Sequence, residues 1–314
     1  MTRAAPRIGV RLPQYGASWE ELREAAVRCE ELGFAGLWLN DHLQAPGRRK
    51  DEPTFDALTG LAALAPLTSR ARLGVAVLSA SYRPPALAAK MATVLDVISG
   101  GRVTLGLGSG SDRPEHRAYG IPFASPPERV EAARTTLRTM RAMFDAPEGA
   151  TLDGVLENAP NLPPPVQQGG PPIWLAAHRP RLLRLAGEEA DGIVAAFVGP
   201  EEVGRRLARA DEAREAAGRP PLDCALYTYA LPISSDEEVA GWLAPETEAL
   251  GTTPAKLVRW LRTTGIVGSP AEVRDALAAH AAAGVTDAIL VLPNRVPIEA
   301  FEALAEALLT EGSR

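Results

Sequence analysis

Residues 72–112 read RLGVAVLSASYRPPALAAKMATVLDVISGGRVTLGLGSGSD, and this stretch decides the fold. Leu73 to Leu78 is a β-branched apolar run of strand length. A short loop, Ser79 to Pro85, ends on two prolines, which suit the first turn of a helix because the missing N–H would be unpaired there anyway. The helix that follows repeats Leu87, Met91, Val94, Leu95 and Ile98 on one face at the 3.6 period. Gly100-Gly101 stops it, and a second strand, Arg102 to Leu107, runs into Gly108-Ser109-Gly110-Ser111-Asp112. Strand, helix, strand in this order predicts parallel pairing. Both strand tips then fall on one face, where small residues let a ligand approach the backbone.

The same alternation extends outward in both directions. Upstream lie strand Ile8 to Leu12, a helix capped by the Ser18/Glu21 capping box and stopped at Gly33, strand Ala35 to Asn40, and helix Thr54 to Leu67. Downstream, Val130, Ala133, Leu137, Met140 and Phe144 mark a strongly periodic helix capped at Ser125. Residues 146–171, rich in Pro, Gly and Asn, read as a surface excursion. Strands at 172–177, 191–197, 223–231 and 286–292 then alternate with helices at 180–189, 200–218, 270–284 and 297–309. Residues 236–264 read as an insertion of short helices. Eight strands alternating with helices in one continuous stretch predict a single α/β domain over residues 1–314. A (β/α)8 TIM barrel with an insertion between strands 7 and 8 fits best, ahead of an open doubly wound sheet.

Composition bounds the function. Net charge is −6, and lysine appears only at 50, 90 and 256, so nucleic acid is not the expected partner. No run reaches membrane-spanning length, and MTRAAPRIGVRL lacks an apolar leader core. The two cysteines, Cys29 on an apolar helix face and Cys224 at the start of a strand, form no disulfide framework. A cytoplasmic protein is expected, with no membrane partner.

In a barrel, chemistry sits just after the strands. Those positions hold Gln14 and Tyr15, Asp41-His42, Ser79, Gly108 to Asp112, and His178-Arg179. His42 is the acid/base candidate, oriented by adjacent Asp41; the alternative is an imidazole bonded to a carbonyl as part of the fold. His178 and Arg179 open a helix where free N–H groups favour an anion; solvated surface charge is the alternative. Gln14, Tyr15, Tyr119 and the insertion are expected to wall the substrate pocket. His116, in a charged connection with Glu115, is expected to be exposed, and His280 to be packed. Metal-ligand spacing is missing, as are the Gly-x-Ser-x-Gly elbow and the Walker loop, so no metal is expected.

Several blocks resemble one family. Leu32-Gly33-Phe34-Ala35-Gly36-Leu37-Trp38 through Asp41-His42 resembles the second-strand signature of the luciferase-like monooxygenase superfamily. Arg72 to Val75 through Pro84-Pro85-Ala86-Leu87-Ala88 is similar to its third-strand block. The most specific match runs from Leu95-Asp96-Val97-Ile98-Ser99-Gly100-Gly101-Arg102 to Gly106-Leu107-Gly108-Ser109-Gly110. Pro165 to Ala177, Leu185 to Gly192 and Val267 to Val273 also fit, in the family's order. The resemblance implies a flavin or deazaflavin at the C-terminal face, and a homodimer.

Asp41-His42 is most similar to the branch that uses coenzyme F420. That branch carries a non-prolyl cis peptide against the ring, which aligns with Ala76-Val77. Ring-side contacts map to Ser79, Gly108, Ser109 and Gly110, and phosphate-side contacts to Ala177, His178 and Arg179. Ser111 and Pro46 replace an acid and a Trp of the sugar-phosphate dehydrogenases, which argues against glucose 6-phosphate. The expected activity is hydride transfer between F420 and a small organic substrate. The alternatives are an FMN-dependent monooxygenase and a non-catalytic cofactor-binding relative.

Overall fold

The computed structural model describes residues 5–46 and 51–309; the first four residues of the stretch read for a leader lie outside them. The chain opens with β1 (Arg7–Arg11), α1 (Trp19–Glu31), β2 (Gly36–Leu39) and α2 (Ala57–Leu64), then β3 (Arg72–Ser79), α3 (Pro85–Ser99), β4 (Val103–Gly108), α4 (Arg113–Ala118) and α5 (Pro126–Asp145). A hairpin, β5 (Ala150–Leu152) and β6 (Leu156–Ala159), precedes β7 (Ile173–Ala176), α6 (Pro180–Glu189), β8 (Gly192–Ala196), α7 (Pro200–Ala216) and β9 (Asp223–Pro232). The chain ends with α8 (Asp236–Leu250), α9 (Pro254–Thr264), β10 (Gly265–Gly268), α10 (Pro270–Ala282), β11 (Asp287–Val291) and α11 (Ile298–Leu309).

Strands β1, β2, β3, β4, β7, β8, β9 and β11 pair in that order, all parallel, and β11 returns to β1. The fold is a closed (β/α)8 barrel. The insertion between its seventh and eighth strands is more than helices: after α8 and α9, β10 pairs in parallel with the far end of β9. The capping boxes form at Ser18 and Ser269, where each serine accepts from the N3 amide and the N3 glutamate reaches back. The 146–171 excursion holds the β5–β6 hairpin and is tied down by Asp96, which accepts from the Val166 and Gln167 amides at 2.8 and 2.9 Å.

Most of the core lies between strands and helices. A smaller cluster, Trp38, Ala76, Trp174, Val194, Ala225 and Ile289, comes from six different strands and plugs the barrel. Trp38 and Trp174 stack there at 5.5 Å between centroids. Two indoles fit only because small residues face them: a Cβ on Gly74 would lie 2.1 Å from the Trp38 ring. One sequence expectation holds only in part. On α3 Leu95 of the periodic stripe is buried with the small residues Ala88, Ala89 and Ala92, and Met91 packs against the core, whereas Leu87, Val94 and Ile98 of the same stripe are exposed. The helix packs on its alanine side, since small side chains let its axis come closer to the sheet.

Candidate active site

Parallel pairing brings all eight barrel-strand tips to one end, and a cavity of about 420 Å³ opens there. Its walls include Tyr15, Asn40, Asp41, His42, Ala76, Val77, Ser79, Tyr82, Gly108 to Asp112, His178, Phe197, Tyr227 and Tyr229. A larger cavity, about 1040 Å³, lies near Arg7, Gly33, Arg274 and Leu309. Its two arginines are already engaged, by Asp287 and by the Ala307 carbonyl, so it offers little chemistry.

One wall is a bulge. The Ala76-Val77 peptide is cis, and the β3–β4 register shifts between Val75 and Leu78. The bulge turns Val77 toward β4, where only glycine leaves it room: a Cβ on Gly106 or on Gly108 would lie 2.7 Å from the valine methyls. The result is a smooth apolar ledge of backbone and small side chains. That surface suits the face of a flat ring, so the residues fit a flavin or deazaflavin. His178 lines the cavity at the start of α6, and its pKa is lowered by burial and by neighbouring Arg179 and Arg206.

Facing the ledge is His42. Its Nδ1 lies 2.9 Å from Glu115 Oε2. The other Glu115 oxygen accepts the Leu43 and Gln44 amides at 2.5 and 3.0 Å, and Tyr82 donates its hydroxyl to the same carboxylate. Glu115 is fully buried, and Asp112 caps its helix through the Glu115 amide. Burial alone would raise the Glu115 pKa, but the bonds from His42, Tyr82 and the Gln44 amide bring it down to about 2. For His42, burial lowers the pKa; the Glu115 bond and charge, with Asp112 and Asp41 beyond, raise it net above its ordinary value. The pair thus raises the proton affinity of an imidazole whose Nδ1 is engaged by Glu115 and whose ring lines the cavity.

Asp41 does not hydrogen-bond His42. Past the end of β2 the chain turns tightly, the His42 amide donating to the Asn40 carbonyl at 3.1 Å, and the two side chains take separate partners. The Asp41 carboxylate turns away to accept Arg83 Nη1 and Nη2 at 2.8 and 2.9 Å and the Ser79 amide at 2.8 Å. Arg83 also meets Asp56. Asp41 thus clamps the β2 tip to the β3 tip. Gln14 is another correction: fully buried, it spans the Asn40 carbonyl and amide and the Phe55 carbonyl, and does not line the cavity. Tyr119 is half-exposed and donates to the Leu43 carbonyl at 2.6 Å, outside the cavity. Tyr15 does line the cavity and meets the His42 ring edge-on at 6.3 Å.

Ser79, Gly108, Ser109 and Gly110 line the cavity, as expected of ring-side positions. Ala177 is buried and Arg179 is an exposed N-cap of α6; neither lines the cavity. His116 is buried rather than exposed, because α4 folds it inward. Its Nδ1 meets the Asp112 carbonyl at 2.7 Å and its Nε2 meets Ser81 Oγ at 2.9 Å, with Ser79 Oγ 3.1 Å further on. His280 is buried against the Ala276 and Val198 carbonyls. Among the described residues, His42, Asp112 and Glu115 bring ligand atoms within 4.8 Å of one another, a grouping that sequence spacing did not show. The Glu115 oxygens are already taken by protein donors.

Glu115, Tyr82 and Arg83 carry much of this site and were not singled out from the sequence. One signal was legible: Asp112-Arg113-Pro114-Glu115 is an N-cap with proline in the first turn, which starts a helix and puts Glu115 at N3.

The luciferase-like monooxygenase family model matches residues 2–287. The chain belongs to the luciferase-like monooxygenase family. The phthiodiolone/phenolphthiodiolone dimycocerosates ketoreductase of Mycobacterium tuberculosis is 33% identical over 223 residues, 64% of this chain and 57% of the relative. The chain thus matches little more than half the length of that relative. A structure of an F420-dependent secondary alcohol dehydrogenase in complex with an F420-acetone adduct superposes with a TM-score of 0.80 at 19% identity, covering 97% of this chain and 99% of that one. The oxygenating constituent of 3,6-diketocamphane monooxygenase from Pseudomonas putida, in complex with FMN, superposes with a TM-score of 0.75 at 19% identity, covering 98% and 99%. This luciferase-like chain therefore shares its barrel with enzymes of both cofactor types.

Proposed function

We propose that this chain is an F420-dependent oxidoreductase that interconverts a carbonyl and an alcohol on a small organic substrate. The observation that carries the reading is the His42–Glu115 pair facing the bulged ledge. Reducing a carbonyl takes a hydride on carbon and a proton on oxygen. A bound reduced deazaflavin supplies the hydride from C5. This chain supplies the proton: Glu115 holds His42 protonated, and Nε2 presents that proton to the substrate oxygen. In the reverse direction the same nitrogen takes the proton back. Val77, Gly108, Ser109 and Gly110 position the ring, and His178 at the head of α6 meets the phosphate-bearing tail. The ketoreductase relative and the alcohol dehydrogenase likeness support the substrate chemistry.

We further propose a homodimer through the exposed stripe of α3. Leu87, Val94 and Ile98 share one face of the helix, and Leu162 and Val166 are exposed beside it.

The test is titration of purified protein with oxidised F420 and with FMN, followed by turnover. F420 binding in wild type and in His42→Ala, with turnover lost in the variant, is the expected result. Tight FMN binding without F420 binding transfers the assignment to an oxygen-using monooxygenase. Stoichiometric binding with no turnover of any ketone or alcohol makes the chain a non-catalytic relative.

A further inference from the structure

Four aromatic rings stand in file, three of them lining the cavity and the fourth, Trp260, beyond its mouth. Tyr227 meets Phe197 at 5.4 Å, Phe197 meets Tyr229 at 5.3 Å, and Tyr229 meets Trp260 at 5.2 Å between centroids. The file begins beside the acid–base pair: the Tyr227 hydroxyl donates to Asn40 Oδ1 at 3.0 Å, two residues before His42. It ends at the surface, with Phe197 44% and Trp260 48% exposed. Leaving such rings in water forgoes burial that the core would otherwise provide.

Two independent features hold the file in place. Phe197 has a φ of +52°, in the left-handed region that a bulky side chain rarely adopts. Such conformations persist where the surroundings enforce them, and they gather at ligand sites. Here the Phe197 amide donates to the Tyr227 carbonyl at 2.8 Å, and the turn stands the ring on the rim instead of folding it inward. At the other end, β10 starts at Gly265 directly opposite Tyr229. That pairing ties the end of α9 to the strand carrying Tyr227 and Tyr229, so Trp260 is held over Tyr229. No residue of the insertion lines the cavity itself, against expectation, but Trp260 extends the file beyond it.

We propose that this file is the track for an aliphatic tail, and that the substrates are ketones or alcohols whose hydrocarbon chain runs from His42 out past Trp260. The inference rests on the cavity being the carbonyl site, and deepens it by naming the substrate class. Rings receive hydrocarbon by dispersion and water release; a phosphate or carboxylate tail would need cations in their place.

The experiment measures kcat/KM for methyl ketones of four to eleven carbons with the coenzyme-loaded protein. It also measures quenching of tryptophan emission by the same ketones in coenzyme-free protein. Wild type is expected to gain roughly two- to fourfold in kcat/KM per methylene while the chain lies on the track. Phe197→Ala/Trp260→Ala is expected to flatten that dependence, with Trp260→Phe restoring most of it. The eleven-carbon ketone is expected to quench wild type and not Trp260→Phe. A flat dependence in wild type overturns the proposal, as does a slope that survives in the double variant. Survival of the slope with a change in oligomeric state in the double variant makes the rim a subunit contact instead. Chain-length-dependent quenching without turnover of any ketone upholds the track and sinks the carbonyl chemistry.

Discussion

At the scale of single residues, the site turns on one buried carboxylate. Glu115 raises the His42 pKa more than Asp112 and Asp41 do, so replacing it removes most of the opposition to burial and lowers that pKa. In Glu115→Gln, the loss of reductase activity at rising pH is expected to begin at lower pH than in wild type. Nitrogen NMR of the His42 ring is expected to show the same downward displacement. An unmoved profile would mean that Glu115 only braces the loop. Acid stability carries the opposite sign. The Glu115 pKa falls to about 2 in the fold from an ordinary 4.5, so its contribution is present above 4.5 and lost as pH drops toward 2. That contribution is on the order of 3 kcal/mol, shared with His42. Urea denaturation between those pH values is expected to show a steeper decline in wild type than in Glu115→Gln.

At the scale of elements, the clamp between the β2 and β3 tips is the exposed weakness. Asp41 is buried and held by two Arg83 nitrogens and one amide. Arg83→Ala strands that charge, and a loss of about 3–5 kcal/mol is expected in chemical denaturation. Asp41→Asn, which keeps the amide contact and strands no anion, is expected to cost less. Equal losses would mean that the arginine acts through packing alone. The face of α3 belongs to this scale too, with Leu95 of its stripe in the core and Leu87, Val94 and Ile98 exposed. The period of its apolar residues was read correctly, yet period does not say which side of a helix faces the sheet.

At the scale of the whole molecule, eight parallel tips converge, so groups far apart in sequence share one cavity. The exposed α3 stripe gives this scale its prediction. Sedimentation of wild type is expected at twice the chain mass, and Leu87→Glu/Ile98→Glu at the chain mass with an unchanged circular dichroism spectrum. A monomeric wild type would remove the homodimer and leave the stripe without a role.

What the sequence determined by itself was local: strand runs, helix periods, capping boxes at Ser18 and Ser269, and the order of alternation that makes a barrel. These depend on neighbours within a turn or two. Its block pattern also marked the family and the bulge at Ala76-Val77. What only the tertiary structure decided was partnership. Glu115 reaches His42 across 73 residues and Arg83 reaches Asp41 across 42. The sequence put Asp41 beside His42, but Arg83 and the Ser79 amide claim the Asp41 carboxylate while Glu115 claims the imidazole, so the nearest neighbour in the chain was the wrong hydrogen-bond partner. Gln14, Tyr119 and His116 were placed by strand-tip position or local charge, and packing turned each elsewhere. A hydrogen bond needs a distance, and distances between remote residues exist only once the barrel has closed.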